Sequence, residues 1–364
     1  MSEIVREIVV VGGGVIGLSV AWRLAVSHEV TVVDPAPARG ASWVAGGMLA
    51  PVTESWPGEE ALLDLGAASL DRWPEFAARL DVPLLTGGTV VAAVDAADAA
   101  QLDVLAEHLA SLGRAVDRLT GRELREREPA AGPGVRSGLM VPGDLAVDNR
   151  ELLRRLESAA RRAGVRFDRR RALGVESGAV LLDGGVLETG TAVIAAGAWS
   201  AALHPALDTL VRPVKGEILR LRERAGALPL TRTLRALVES RPVYLVPRAG
   251  GEVVLGATQY EAGFDTEVTV GGVRDLLADA ERVVPGIAEY GLTEAAAGLR
   301  AGSRDNLPLV GPLEPGVLVA AGHHRNGLLL APITADAVYA MVAGEQPPAP
   351  ARAADPARHV PTRR

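Results

Sequence analysis

Ten residues, I-V-V-V-G-G-G-V-I-G from Ile8 to Gly17, constrain this chain more than any other stretch. Four β-branched residues without polar alternation, Ile8 to Val11, suit a strand buried on both faces of a parallel sheet. Gly12, Gly14 and Gly17 then form G-x-G-x-x-G, and Ile16, Val20, Trp22 and Leu24 follow with the spacing of a helix. Glycines between a strand and a helix are the context that the dinucleotide-binding fingerprint requires. Gly12 permits the tight turn, Gly14 lets backbone approach a pyrophosphate, and Gly17 lets the helix pack close to the strand. The helix N-terminus turns its free N–H groups towards the phosphates. A second strand, Val30 to Val33, ends in Asp34, 22 residues after Gly12, where a carboxylate can take ribose hydroxyls and repel a 2′-phosphate.

A chain of 364 residues with 48% hydrophobic content can build about two cores. A net charge of −7 gives no general affinity for nucleic acid. Cysteine is absent, which excludes disulfides, thiolate metal sites and cysteine-linked cofactors. The 6 histidines lack ligand spacing beyond the pair His323 and His324, so no metal site is expected. The apolar run at the N-terminus is short, broken by glycines and not preceded by a basic segment, which reads as a cytoplasmic protein without a membrane anchor.

Residues 41–49, A-S-W-V-A-G-G-M-L, read as a loop of small residues suited to close approach of a large flat ligand. Helices are expected over 59–80 with a break at Pro74, and over 96–112, 120–127, 150–163, 271–284 and 331–341. The arginines 150, 154, 155, 161 and 162 read as one solvated helix face. Buried strands are expected at 192–198 and 317–321, and strands of a second sheet at 211–221, 243–246 and 253–258. The expected fold class is α/β: a discontinuous Rossmann-like domain (1–85, 143–208 and 299–345) with an inserted antiparallel or mixed β-sheet domain (86–142 and 209–298). The proline-rich stretch 346–364 reads as a poorly ordered tail.

Seven segments in this order resemble the D-amino-acid oxidase superfamily of FAD-dependent oxidoreductases, and within it the glycine oxidase branch of thiamine biosynthesis. They are V-V-V-G-G-G-V-I-G, A-G-G-M-L, V-I-A-A-G-A-W-S, P-V-K-G-E, Y-L-V-P-R, A-G-L-R-A-G-S-R-D-N and A-G-H-H-R-N-G-L-L-L-A-P. The resemblance spans residues 5–343 and implies FAD in an extended pose. It assigns the cofactor to Gly12, Gly14, Val15, Ile16 and Gly17, then to Asp34 and Pro35. From the second loop it takes Ser42, Ala45, Gly46, Gly47, Met48 and Leu49. Ala172, Ala196, Gly197 and Trp199 follow, with His323, His324, Arg325, Asn326, Gly327 and Leu328 near the C-terminal end. With no cysteine, and Val44 where some relatives carry a linking histidine, the FAD is expected to be non-covalent.

The resemblance also implies that Arg300 and Tyr244 hold a substrate carboxylate, with Arg325 as a further arginine at the substrate site. Expected partners are a small amino acid with a free carboxylate and molecular oxygen, and the protein is expected to be a homo-oligomer. The implied reaction is oxidative deamination of glycine and sarcosine-like amines to glyoxylate, amine or ammonia, and hydrogen peroxide. Gln259, Pro242 and His324 depart from the residues expected at the side-chain end of the pocket. Larger N-substituted glycines, D-amino acids, or a dehydrogenase with a non-oxygen acceptor therefore stay open, as does a flavin-binding protein without catalysis. A nicotinamide dehydrogenase is the alternative if the resemblance fails.

Overall fold

The computed structural model describes residues 7–359. Its first sheet has six strands, in the order Leu309–Glu314, Val317–Ala321, Thr191–Ile194, Ile8–Val11, Val30–Val33 and Arg166–Asp168. All neighbours are parallel except the first pair. The strand Ile8–Val11 is central and wholly buried, and its alternate residues feed two cores. Ile8 and Val10 pack with the helices Val15–Leu24, Asn149–Arg162 and Ala331–Val342. Val9 and Val11 pack against Val175, Val180 and Leu182 of a small antiparallel sheet on the other face. Each such β-branched side chain contributes about 1.5–3 kcal/mol by burial, so an uninterrupted apolar run is what this position demands.

Gly12 and Gly17 take the turn and the close packing that their spacing predicts. Gly12 has φ of 111°, and a Cβ there would strike the backbone of Ala195. A Cβ on Gly17 would run into the carbonyl of Gly12, so this glycine sets the approach of helix to strand. Asp148 caps the helix Asn149–Arg162 through the N–H groups of Arg150 and Glu151.

The second sheet has eight strands: Gly291–Gly302, Arg212–Arg222, Glu252–Gly256, Arg241–Pro247, Thr233–Val238, Thr89–Ala93, Ser137–Val141 and Asp117–Thr120. One face, with Leu219, Leu234, Val243, Leu245 and Leu255, packs on the helix Val270–Val283. The other face carries the polar side chains described below. A further three-stranded sheet joins Met48–Leu49, Leu145–Val147 and Leu84–Leu85.

Several expectations change. Residues 346–359 are packed, not loose: they form the turns Ala349–Ala354 and Pro356–His359, with Ala351 and Ala354 in the core and Arg358 paired to Asp305 at 2.8 Å. Residues 360–364, the rest of the expected tail, lie outside the described residues. The 59–80 segment is two helices, Glu60–Leu70 and Trp73–Leu80, and Pro74 belongs to the first turn of the second, where its missing N–H costs nothing. The 41–49 stretch contains a short helix, Ala41–Val44. Arg154, Arg155 and Arg161 pair with Glu151 and Glu157 on the surface, but Arg150 turns inwards, bidentate to Glu294 at 2.9 and 2.7 Å and stacked over Trp43. Residues 299–302 continue the strand Gly291–Gly302 of the second sheet.

Candidate functional site

A cavity of about 200 Å³ lies between the two large sheets. Its floor comes from one row of the eight-stranded sheet. Ile218 faces Gly256, Gly256 faces Tyr244, and Tyr244 faces Arg235 on successive strands. Residues in one cross-strand row project to the same face, so Ile218, Tyr244 and Arg235 all line the cavity. Gly298 and Gly216 are directly paired, and Arg300 lies two residues further on the same face.

Two absent side chains shape this floor. Gly216 lies under the Arg300 guanidinium, and a Cβ there would occupy the guanidinium's position. Tyr244 lies between Gly46 and Gly256, where a Cβ on either would strike its ring or hydroxyl. Arg300 donates one hydrogen bond, from Nη1 to the carbonyl of Thr258 at 3.2 Å. Its guanidinium faces no acidic side chain in hydrogen-bond range among the described residues, so most of its fork is free for an anion. Burial lowers the Arg300 pKa and raises that of Tyr244, which keeps a neutral phenol beside a guanidinium.

Arg325 is differently engaged. Its Nε lies 2.9 Å from Glu54 Oε2, and its Nη2 donates to the Glu54 carbonyl at 2.8 Å and to Glu59 Oε2 at 3.0 Å. Glu54 also pairs with Arg235. Burial pushes the Glu54 carboxyl up, but the Arg235 and Arg325 guanidiniums outweigh it and hold the group below its ordinary range. His324 lines the same cavity with neither ring nitrogen partnered, at φ of 47°. Burial and the neighbouring arginines depress it to about 4, so it is neutral near pH 7. Pro242 and Gln259 also line the wall, so with His324 all three departures at the side-chain end are in the cavity, and Val44 lines it too.

At its other end the cavity meets the glycine loop. Val15, Ser42, Ala45, Gly46, Gly47 and Met48 line it from one side, and Asn326, Gly327 and Leu328 from the other. The 41–49 carbonyls are clamped by side-chain donors: Asn149 to Ser42 and Trp43 at 2.9 Å each, and Arg248 to Gly46 at 2.5 Å. Asp34 accepts from Gly13 N–H at 2.6 Å and Ala36 N–H at 2.7 Å, which leaves each oxygen a further lone pair.

Other residues selected for the cofactor lie outside the cavity lining. Gly12, Gly14, Ile16 and Gly17 form the turn and helix start, Asp34 and Pro35 the end of the second strand, and Leu49 is buried beneath the loop. Ala196 and Gly197 end the strand Thr191–Ile194 at the turn Gly197–Leu203. Ala172 begins a strand of the small sheet, and Trp199 is 50% exposed and packs on Phe264 at 5.7 Å. His323 is buried, 3.0 Å from Thr334 Oγ1. Arg235, Glu54, Glu59 and Thr258 were not legible as site residues.

The cradle suits FAD. A Cβ on Gly14 would meet only Ser42 Oγ, at 3.3 Å, and would fill open space beside the helix N-terminus; one on Gly327 would meet only His323 Cβ, at 3.8 Å. A family model described as FAD dependent oxidoreductase matches residues 7–341. The chain belongs to the FAD-dependent oxidoreductase family. A glycine oxidase of Geobacillus kaustophilus is 33% identical over 350 residues, covering 90% of each chain. A bifunctional ThiO/ThiG protein of Synechocystis is 33% identical across 90% of this chain and 50% of its own length. The crystal structure of glycine oxidase from Geobacillus kaustophilus superposes with a TM-score of 0.90 at 31% identity, over 98% of this chain and 100% of that one. This member is thus an FAD-dependent amine oxidoreductase. Among the described residues no helix is long and apolar enough to cross a membrane, and no cluster of side chains could hold a metal.

Proposed function

We propose that the protein oxidises glycine and small N-substituted glycines with oxygen to the imine, which water hydrolyses, giving glyoxylate, the amine or ammonia, and hydrogen peroxide. The observation that carries this reading is the Arg300 fork, free of any acidic partner, beside the Tyr244 hydroxyl at the end of a small cavity that opens on the glycine loop. FAD, when bound, supplies the hydride acceptor. The chain's residues supply position. Arg300 takes the substrate carboxylate through two parallel N–H groups, and Tyr244 donates to the same carboxylate. That fixes Cα and the amine against the 41–49 and 324–328 segments. His324, depressed to about 4, is a neutral imidazole near pH 7, so it is neither an imidazolium acid nor a strong base there. The amine sheds its own proton to solvent before reaction, because an ammonium has no lone pair to release. Holding two reactants in place accounts for the rate without an acid–base residue.

The resemblance to ThiO/ThiG proteins supports a supply of the oxidised glycine unit for thiamine biosynthesis. Oxygen uptake and peroxide formation with glycine and sarcosine test the proposal. We expect both, with activity rising with pH until the bound amine is neutral. Flavin reduction without oxygen uptake would instead make the protein a dehydrogenase.

A further inference from the structure

Resting on that reading, we propose that Arg235 is a second anion-binding residue of the substrate cavity. It selects N-substituted glycines whose substituent ends in a carboxylate over alkyl substituents of the same size.

Arg235 lies on the strand next to Tyr244, in direct register with it, on the side away from the Arg300 strand. A substrate anchored at Arg300 whose substituent extends past Tyr244 therefore meets Arg235. The Arg235 side chain is 16% exposed and lines the cavity. Only Nη1 is engaged, by Glu54, so Nε and Nη2 make no protein hydrogen bond among the described residues. Neither atom is a buried group without a partner, so both are accessible on a residue that lines the cavity. Glu54 does not depend on Arg235 alone: Arg325 Nε lies 2.9 Å from its other oxygen as an ion pair, without hydrogen-bond geometry. An incoming carboxylate can thus join Arg235 without leaving Glu54 unpaired.

Charge favours the same class. Three guanidiniums line the cavity, of Arg235, Arg300 and Arg325, against one lining carboxylate, Glu54. Glu59, paired with Arg325 from outside the lining, adds a second, and Asp144, which also acts on Arg235, is pushed up to about 7 by burial and only partly ionised near neutral pH, so the balance stays positive. Glycine binds as a neutral zwitterion and leaves that charge unmatched. An amino diacid with a protonated amine carries net −1 and neutralises it. An alkyl tail would bury against the Arg235 fork, strip its water and offer no acceptor in return.

The test compares anaerobic flavin reduction of the holoenzyme at increasing concentrations of matched amines, which separates apparent Kd from the limiting rate. N-Carboxymethylglycine is compared with N-isobutylglycine, and N-(2-carboxyethyl)glycine with N-isopentylglycine. We expect at least one diacid to bind roughly tenfold more tightly than its alkyl counterpart, the scale of one charge-assisted fork. In Arg235→Leu that ratio falls to near one, and Arg235→Lys restores part of it. If Arg235→Leu does not fold, the wild-type ratios and Arg235→Lys decide alone. Alkyl counterparts that bind as well as both diacids in the wild type would overturn the proposal, as would a ratio that Arg235→Leu or Arg235→Lys leaves unchanged. Failure of glycine and sarcosine to reduce the flavin would instead count against the proposed function itself.

Discussion

Among single residues, Arg300 carries the proposed substrate clamp. Replacing it with Ala leaves a substrate carboxylate in a cavity without its fork partner. Breaking such a pair costs about 2–5 kcal/mol, or roughly 30- to 5000-fold in kcat/KM. Steady-state kinetics on glycine and sarcosine should show that loss with normal FAD content, and Arg300→Lys should recover only part. Wild-type turnover in Arg300→Ala would move the clamp elsewhere. Asp34→Ala should weaken FAD binding by about 1.5–3 kcal/mol, measured by titrating the apoprotein. The structure adds a reason: Asp34 also holds the Gly13 and Ala36 N–H groups, so its loss loosens the glycine loop itself. Arg300 and Tyr244 were legible because short motifs surround them. Arg235 was not: no motif surrounds it and no strand is expected at 233–238, and only the pairing of Thr233–Val238 beside Tyr244 places it in the cavity wall.

Elements place these residues. The strand Gly291–Gly302 carries Arg300, yet G-L-T-E-A-A-A-G-L-R-A-G has little β propensity. Its alanines and glycines pair along Arg212–Arg222, so tertiary pairing overrides composition, and this strand was missed from sequence. The central Ile8–Val11 strand and the Asn149–Arg162 helix were legible because hydrophobic pattern and capping agree there. The Gly216–Gly298 pair shows what small residues achieve in such a strand. A Cβ at Gly216 falls on the Arg300 guanidinium. Gly216→Ala should therefore lower kcat/KM by on the order of 10- to 100-fold through misplacement of an intact arginine, with the flavin still bound. An unchanged kcat/KM would show that Arg300 does not need this close approach.

For the whole molecule, packing corrects composition at the C-terminal end. Prolines and arginines gave a disordered reading of 346–364, but Ala351 and Ala354 fill gaps in the main core and Gly311 admits Pro356. Deleting 346–364 should cost about 1–3 kcal/mol of stability, visible as a lower Tm, whereas an unchanged Tm would mean the contacts contribute nothing. Stability should also depend on pH through Asp144, which is buried, bonded to Thr53 at 2.7 Å, and pushed by burial from 3.8 to about 7. Between those values the folded chain keeps a proton that the unfolded chain releases. Stability from this group is therefore lost as pH rises from about 4 to about 7, by up to about 4 kcal/mol. Urea denaturation at pH 5 and pH 8 should show that decline reduced in Asp144→Asn, and equal declines would contradict it.

The central claim is that one cavity joins a flavin cradle to a carboxylate clamp for small amino acids. Anaerobic addition of glycine or sarcosine to the purified yellow protein tests it most directly. Loss of the oxidised flavin absorbance, saturating with amine concentration, is expected in the wild type, with severe impairment in Arg300→Ala. Flavin that stays oxidised with every glycine derivative, in a protein that holds FAD normally, would contradict it.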